Sequence, residues 1–394
     1  MPTSGVILPN PSAVVRHLYV HVPFCPTICP FCSFHVVERR AAAVDAYLAR
    51  LDRELAVAAE RLRIEPDTVY LGGGTPSYLR PAEMERLCAI VDRRVGWSRV
   101  EATLEVHPST ATEERVAAWS SLGFDRFSVG VQSFDDGVLR TLGRPHDAAT
   151  SRRVVEWCLA TGAVTSLDLI TAVDGQDLAA DLAAAVATGV HHVSAYTLTI
   201  EEGTPFERAG VHVAEEAERD AIDLVASTLS AAGFGRYEVS NHARPGAQCA
   251  HNRGYWEHDA SLGVGPSAAS LLDVAGSSGE PAVARFANPH LDEWLACDDD
   301  DLGPDADDVV TGDALLDDVL LCGLRLAEGV DLSRAAARCG LTTAAVRDAL
   351  APTVERLVTD GVLRVDGDRI AATPAGVPVL DGVTASLMAR PATL

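Results

Sequence analysis

The chain has 394 residues, 47% of them hydrophobic, and a formal net charge of −24 in which every basic residue is arginine and none is lysine. That length and apolar content can bury one large core and a smaller second one, while so acidic a chain is a poor match to nucleic acid, where binding rests on neutralised phosphates. No apolar run approaches the roughly 20 residues needed to cross a bilayer and nothing reads as a signal peptide, so the expectation is a cytoplasmic protein with neither membrane nor nucleic acid as partner.

Short β-rich apolar runs at 17–22, 67–71, 101–106, 125–130, 164–170 and 192–198 alternate with amphipathic segments at 41–62, 81–94, 111–122, 147–161, 176–188 and 214–232. This is the pattern of parallel strand–helix units. Six units fall short of the eight of a closed barrel, which predicts an α/β fold, an open (βα)6 partial TIM barrel over residues 1–240. After about 240 the alternation stops, and 241–309 reads as a loop-rich connection over the barrel mouth, with the acidic run CDDDDLGPDADD at 297–308 as a solvated linker. Helices are predicted at 311–327, 331–338 and 343–359, then two short strands around the Gly-Asp turn of GVLRVDGDRIAAT and a last helix near 374–387. Residues 310–394 thus read as a mostly helical, winged-helix-like accessory domain. Such modules often bind DNA; the charge argues against that here.

Directly after the first predicted strand comes CPTICPFC, which places Cys25, Cys29 and Cys32 at intervals of four and three. Three soft thiolates so spaced can hold three corners of a cubane [4Fe–4S] cluster and leave the fourth iron open to a small chelating molecule. Structural zinc would want a second ligand pair, and no further CxxC occurs. A disulfide framework belongs to short secreted chains. The other six cysteines are scattered singly and read as small buried hydrophobes. Gly72, Gly73 and Gly74 precede Thr75 and Pro76 just past a strand, where bare backbone groups can approach a ligand.

CxxxCxxC followed by the aromatic Phe34 resembles the radical S-adenosylmethionine (SAM) superfamily. The likeness continues through LYVHVPFC, LGGGTPS, LEVHP, FSVGVQSF, LGRPH, SLDLI, HVSAYTLTIEEGTPF, YEVSN, HNRGYW and GLRLAEGV, in that order along nearly the whole chain. Together these resemble the family that holds anaerobic coproporphyrinogen III oxidase and the HemW-type haem chaperones. The resemblance implies that Cys25, Cys29 and Cys32 hold the cluster and that SAM occupies the open iron. It further implies that Gly73, Gly74, Thr75, Glu105, Gln132, Arg144 and Asp168 hold SAM, with Tyr19 and His21 beside the cluster as catalytic candidates. Glu105 would pair with the SAM ammonium, Arg144 would fork onto its carboxylate, and Gln132 and Asp168 would meet ribose hydroxyls. An electron donor such as flavodoxin or ferredoxin is expected as partner, beside a small-molecule substrate. Cys249 and His251, in the stretch that contains HNRGYW, are candidates either for haem ligation or for a turn capping the barrel mouth.

The chain also departs from that family's pattern. DLITAVDGQ stands where the haem chaperones continue DLxYG(L/T)PGQ, so that Thr171, Ala172, Val173 and Asp174 replace tyrosine, glycine and proline, and Ala269 stands where their histidine would be. A fourth cysteine of the oxidase pattern, expected near Phe34, is absent. Intact SAM motifs beside altered cavity motifs lead to the expectation of methyl or methylene transfer (C-methylation or cyclopropanation) in natural-product biosynthesis. That reading brings two SAM molecules and a partner methyltransferase. The alternatives are a HemW-like chaperone that binds haem and, less favoured, a coproporphyrinogen oxidase-like enzyme.

Overall fold

The computed structural model describes residues 13–276, 278–298 and 309–390. Six strands, β1 (Val15–Val22), β2 (Ile64–Gly73), β3 (Glu101–Val106), β4 (Arg126–Gln132), β5 (Val164–Thr171) and β6 (His192–Thr197), pair in parallel in sequence order. Each is followed by a helix that returns over the outer face, so the expected α/β partial barrel is what forms. The helix at Ala41–Arg61 shows why: Val44, Tyr47, Leu48, Leu51 and Leu55 recur at three- and four-residue spacing and are all buried against the sheet. Side-chain caps start several of the others. Thr112 accepts from the backbone N–H of Arg115, Asp147 from that of Thr150 and Asp177 from that of Ala180.

The sheet does not end with β6. It continues through β7 (Gly235–Arg236), β8 (Asn241–Ala243), β9 (Ser261–Val264), β10 (Ala269–Ala275), β11 (Pro281–Ala287) and β12 (Val309–Thr311). The twelve strands lie in the order β12-β11-β10-β9-β1-β2-β3-β4-β5-β6-β8-β7. β9 runs parallel to β1 with Tyr19 opposite Gly263, and β8 closes the other side antiparallel to β6. The stretch 241–309 is therefore not a loop-rich connection: it supplies four strands and the helices Ala250–Trp256 and Leu291–Ala296. Its strands are short and rich in Gly, Ala and Ser, residues with little β-propensity, which is why they read as loop. The acidic run lies outside the described residues beyond Asp298.

The extra strands brace the site-bearing end of β1. Glu54, buried in the first helix, accepts from the backbone N–H of Gly265 (2.9 Å), from Asn288 Nδ2 (2.6 Å) and from Trp294 Nε1 (3.1 Å). Tyr47 of the same helix donates to the carbonyl of His21 (2.9 Å). Helices Gly312–Gly323, Leu332–Arg338, Thr343–Thr359 and Leu380–Met388 build a second core with β13 (Val330–Asp331), β14 (Leu363–Asp366) and β15 (Arg369–Ala372). The expected two-stranded wing is thus three-stranded, because Val330 joins Ile370 across an edge that β14 leaves free. Among the described residues no helix is long and apolar enough to cross a membrane.

Candidate functional site

The period-two alternation of the barrel strands sorts their side chains into two sets. Leu18, Val20, Val69, Leu71, Leu104, Phe127, Val129, Leu167 and Val193 face the helices and form the main core. The alternate residues, among them Tyr19, Tyr70, Thr103, Glu105, Ser128, Asp168, Ser194 and Tyr196, line a single cavity of about 680 Å3. Every strand thus turns a polar column inward. Tyr70, Thr103, Arg126, Ser128, Ser166, Ser194 and Tyr196 are site residues that the sequence reading missed; counting in twos from Glu105, Asp168 and Gln132 along their strands finds Thr103, Ser166, Ser128 and Arg126, and Tyr70, Ser194 and Tyr196 carry no such signal.

At the C-terminal ends of the strands the cysteine loop closes over this cavity. Cys25, Cys29 and Cys32 all line it, flanked by the exposed side chains of Ile28 and Phe34. Cys25 Sγ lies 3.2 Å from Thr75 Oγ1 and Cys29 Sγ accepts from Arg144 Nη1 at 3.3 Å, while Arg144 Nη2 donates to the carbonyl of Gly130 at 3.0 Å. Burial pushes the Cys25 thiol up to about 11 and raises that of Cys32 as well, so these side chains favour the neutral form unless iron displaces the proton. Among the described residues no three His, Cys, Asp or Glu side chains converge to hold a single metal ion. Three thiols in one loop that line one cavity, with a guanidinium against one of them, suit an anionic cluster.

Beside the loop, Gly73 has φ of 102°, and a Cβ there would meet Cε1 of His21 at 2.5 Å; at Gly74 it would meet the carbonyl oxygen of Val22 at 2.8 Å. Only bare backbone fits this cradle. Glu105 accepts from the Gly73 N–H (3.1 Å) and from Tyr70 OH (2.9 Å), and burial first, then the Asp168 charge, lifts its carboxyl to about 7. Asp168 accepts from Ser128 Oγ at 3.0 Å and is pushed up to about 6, mainly by burial. Gln132 ends β4 at a register irregularity with φ of 68°, a left-handed backbone that turns its side chain into the cavity. His21 donates from Nε2 to the carbonyl of His35 (3.3 Å), so Nδ1 accepts from Tyr19 OH (3.2 Å); burial lowers its pKa to about 4 and keeps the ring neutral. Tyr19, Gly73, Gly74, Thr75, Glu105, Gln132, Arg144 and Asp168 all face one space with the three cysteines.

Cys249 and His251 reach the same cavity from the opposite end. Cys249 caps and His251 lies in the helix Ala250–Trp256, which enters beneath β9 and plugs the N-terminal ends of the strands, so the expectation of a cap over the mouth is corrected to a floor. Neither offers a free ligand atom: Cys249 Sγ donates to Glu101 Oε1 at 3.2 Å, and His251 engages Thr68 Oγ1 (2.7 Å) through Nδ1 and Tyr255 OH (2.9 Å) through Nε2. Glu101 in turn pairs with buried Arg126 at 3.3 Å.

A three-cysteine loop at the C-terminal mouth of a parallel partial barrel defines the radical SAM class, and a family model described as Radical SAM superfamily matches residues 19–184. A second, described as HemN C-terminal domain, matches 310–379. The chain is 34% identical to the heme chaperone HemW of Mycobacterium tuberculosis (strain ATCC 25618 / H37Rv) over 94% of each chain. It is 35% identical to that of Escherichia coli (strain K12) over 63% of this chain and 68% of the relative. The fold matches coproporphyrinogen III oxidase (HemN) from Escherichia coli with a TM-score of 0.79 at 21% identity, covering 96% of this chain and 90% of that one. The chain therefore belongs to the HemN/HemW-like family of the radical SAM superfamily. That family implies a [4Fe–4S] cluster and SAM, and the thiol loop, the glycine cradle and Arg144 fit both.

The expectation of methyl or methylene transfer in natural-product biosynthesis is overturned by these matches, because relatives named heme chaperone HemW align end to end with the chain. The second SAM and the partner methyltransferase that it required go with it. The departures that suggested it have plainer readings. Ala269 is exposed on β10 and does not line the cavity. Ala172 holds φ of 60° where the family pattern carries glycine, a backbone strained by about 1–2 kcal/mol for any residue with a Cβ. Ala172→Gly is expected to stabilise the protein by about 0.5–1 kcal/mol after the added freedom of the unfolded chain is discounted. Thermal denaturation reads this as a raised midpoint; an unchanged or lower one would mean that the loop accommodates alanine without strain.

Proposed function

We propose that this chain binds haem and passes it on, as a HemW-type chaperone with a radical SAM centre in the same barrel. The observation that carries the reading is 34% identity to a relative named heme chaperone HemW across 94% of both chains. The missing fourth cysteine near Phe34 weighs further against the oxidase alternative. Haem is cargo here, and its binding is tested directly: titrated into the anaerobically reconstituted protein, haem is expected to saturate at one equivalent per chain. Absence of saturable binding would remove the chaperone reading and leave only the radical SAM assignment.

For the resident centre, Cys25, Cys29 and Cys32 are the proposed cluster ligands. Held there, a cluster of this class would supply the electron for reductive cleavage of a carbon–sulfur bond of SAM, and a flavodoxin- or ferredoxin-like donor would provide that electron. Gly73 and Gly74 offer backbone groups to the methionine end of SAM, Arg144 its guanidinium to the carboxylate, and Gln132 and Asp168 hydrogen bonds to the ribose. Neutral His21, fixed on β1 by the Tyr19 hydroxyl, holds the end of the cluster loop by donating from Nε2 to the carbonyl of His35.

Glu105 is assigned to the SAM ammonium, and that pairing has a pH signature. Its carboxyl sits at about 7 in the free protein, so below that pH SAM must expel a proton to find its partner ionised. SAM affinity is expected to fall by up to about tenfold per pH unit below 7 and to level off above it. Calorimetric titration at pH 6 and pH 8 decides; equal affinities would remove Glu105 from the ammonium.

A further inference from the structure

The floor of the cavity is joined towards the outside by a file of groups that can each give and take a proton, hydrogen-bonded from Tyr255 to His17 and open only at its outermost step. Tyr255 lines the cavity. Its hydroxyl lies 2.9 Å from Nε2 of His251; Nδ1 of His251 lies 2.7 Å from Thr68 Oγ1; and the same hydroxyl lies 2.9 Å from Nδ1 of His17. Nε2 of His17 then faces Asp259 Oδ2 at 3.8 Å, a gap that rotation of this 38% exposed carboxylate can close. Arg334 holds Asp259 from the accessory domain at 3.4 Å.

We propose that Asp259, His17, Thr68, His251 and Tyr255 form a proton relay between solvent at the N-terminal end of the barrel and the molecule bound in the cavity. The step balances without any other reagent. Tyr255 gives its O–H proton to a basic atom of the bound molecule and takes the Nε2 proton of His251. His251 Nδ1 then takes the hydroxyl proton of Thr68, Thr68 takes the Nδ1 proton of His17, and His17 Nε2 is reprotonated from solvent through Asp259. Each imidazole ends as its other tautomer, and the net change is one proton moved inward. The reverse sequence exports one.

Three features mark the file as built rather than incidental. Both imidazoles are nine-tenths or more buried, yet both nitrogens of His251 and Nδ1 of His17 are hydrogen-bonded along it, and Nε2 of His17 faces Asp259. Burial and the neighbouring His17 hold His251 well below the usual imidazole range, so it stays neutral and can relay by tautomer exchange without trapping a charge. Gly254 passes directly over His17, where a Cβ would stand 2.4 Å from Nε2, so any other residue would obstruct the outer end. The relay is independent of the haem reading: it requires only that the bound molecule gain or lose a proton where solvent from the mouth is excluded.

The test is exchange of the His251 ring N–H with solvent, followed by NMR of ¹⁵N-histidine-labelled protein with cluster and SAM bound. The isosteric Thr68→Val removes the hydroxyl link and is expected to slow exchange at least tenfold, whereas Thr68→Ser, which restores it, returns the wild-type rate. Equal rates in wild type and Thr68→Val would show that protons reach His251 from the mouth and would overturn the relay. Failure of Thr68→Ser to recover the rate would also overturn it, assigning the loss to packing. If Thr68→Val does not fold, His17→Phe interrupts the file one link further out and is read by the same two outcomes.

Discussion

Gly73→Ala is expected to weaken SAM binding by about a hundredfold or more while leaving the barrel folded. Two penalties coincide at this position. The backbone φ of 102° disfavours any residue with a Cβ, and the added methyl would stand 2.5 Å from Cε1 and 2.6 Å from Nδ1 of the His21 ring. The ring has little room to retreat, because Tyr19 OH and the carbonyl of His35 hold its two nitrogens and Tyr47 holds its backbone carbonyl. Left-handed strain of about 1–2 kcal/mol and overpacking of about 1–3 kcal/mol together correspond to roughly two orders of magnitude in affinity if they are relieved by distorting the cradle. Movement of Gly73 would also withdraw the N–H that Glu105 accepts. Equilibrium dialysis with labelled SAM measures the loss; an affinity within threefold of wild type would show that the cradle does not contact SAM.

Cys29→Ala is expected to abolish cluster assembly, reducing bound iron from about four per chain to near zero after anaerobic reconstitution. Cys29 is the most buried of the three ligand candidates, and its sulfur receives the Arg144 guanidinium. Alanine there removes one corner of the cluster and leaves Arg144 facing an apolar methyl. Cys88→Ala is the control: that thiol is packed in the core under the helix Pro81–Val95, and its loss should lower the unfolding midpoint while iron content is unchanged. Full iron incorporation by Cys29→Ala would sink the assignment of the triad.

The same alternation that made the barrel strands legible also encoded the cavity. Once β3 is placed, Glu101, Thr103 and Glu105 must share a face, since side chains two apart lie on one side of a strand. The cysteine triad was equally plain, because its ligand spacing lies within eight consecutive residues. Strands β9 to β11 were not legible, since Gly, Ala and Ser carry no strand signal of their own and become strand only because β1 offers an open edge. The left-handed backbone of Gln132 was hidden for a similar reason: it is imposed by a shift of register against β5, a property of the pair.

What the sequence determined by itself was local: the order of strand–helix units, the three thiols in one loop, and the polar residues that recur in twos along each strand. What only the tertiary structure decided was which end of the barrel each motif occupies. Cys25 and Cys249 both line the one cavity, yet one closes the mouth and the other the floor. That assignment follows from the direction in which the helix Ala250–Trp256 enters the strand beside β1, a pairing between residues more than two hundred positions apart that no local periodicity records.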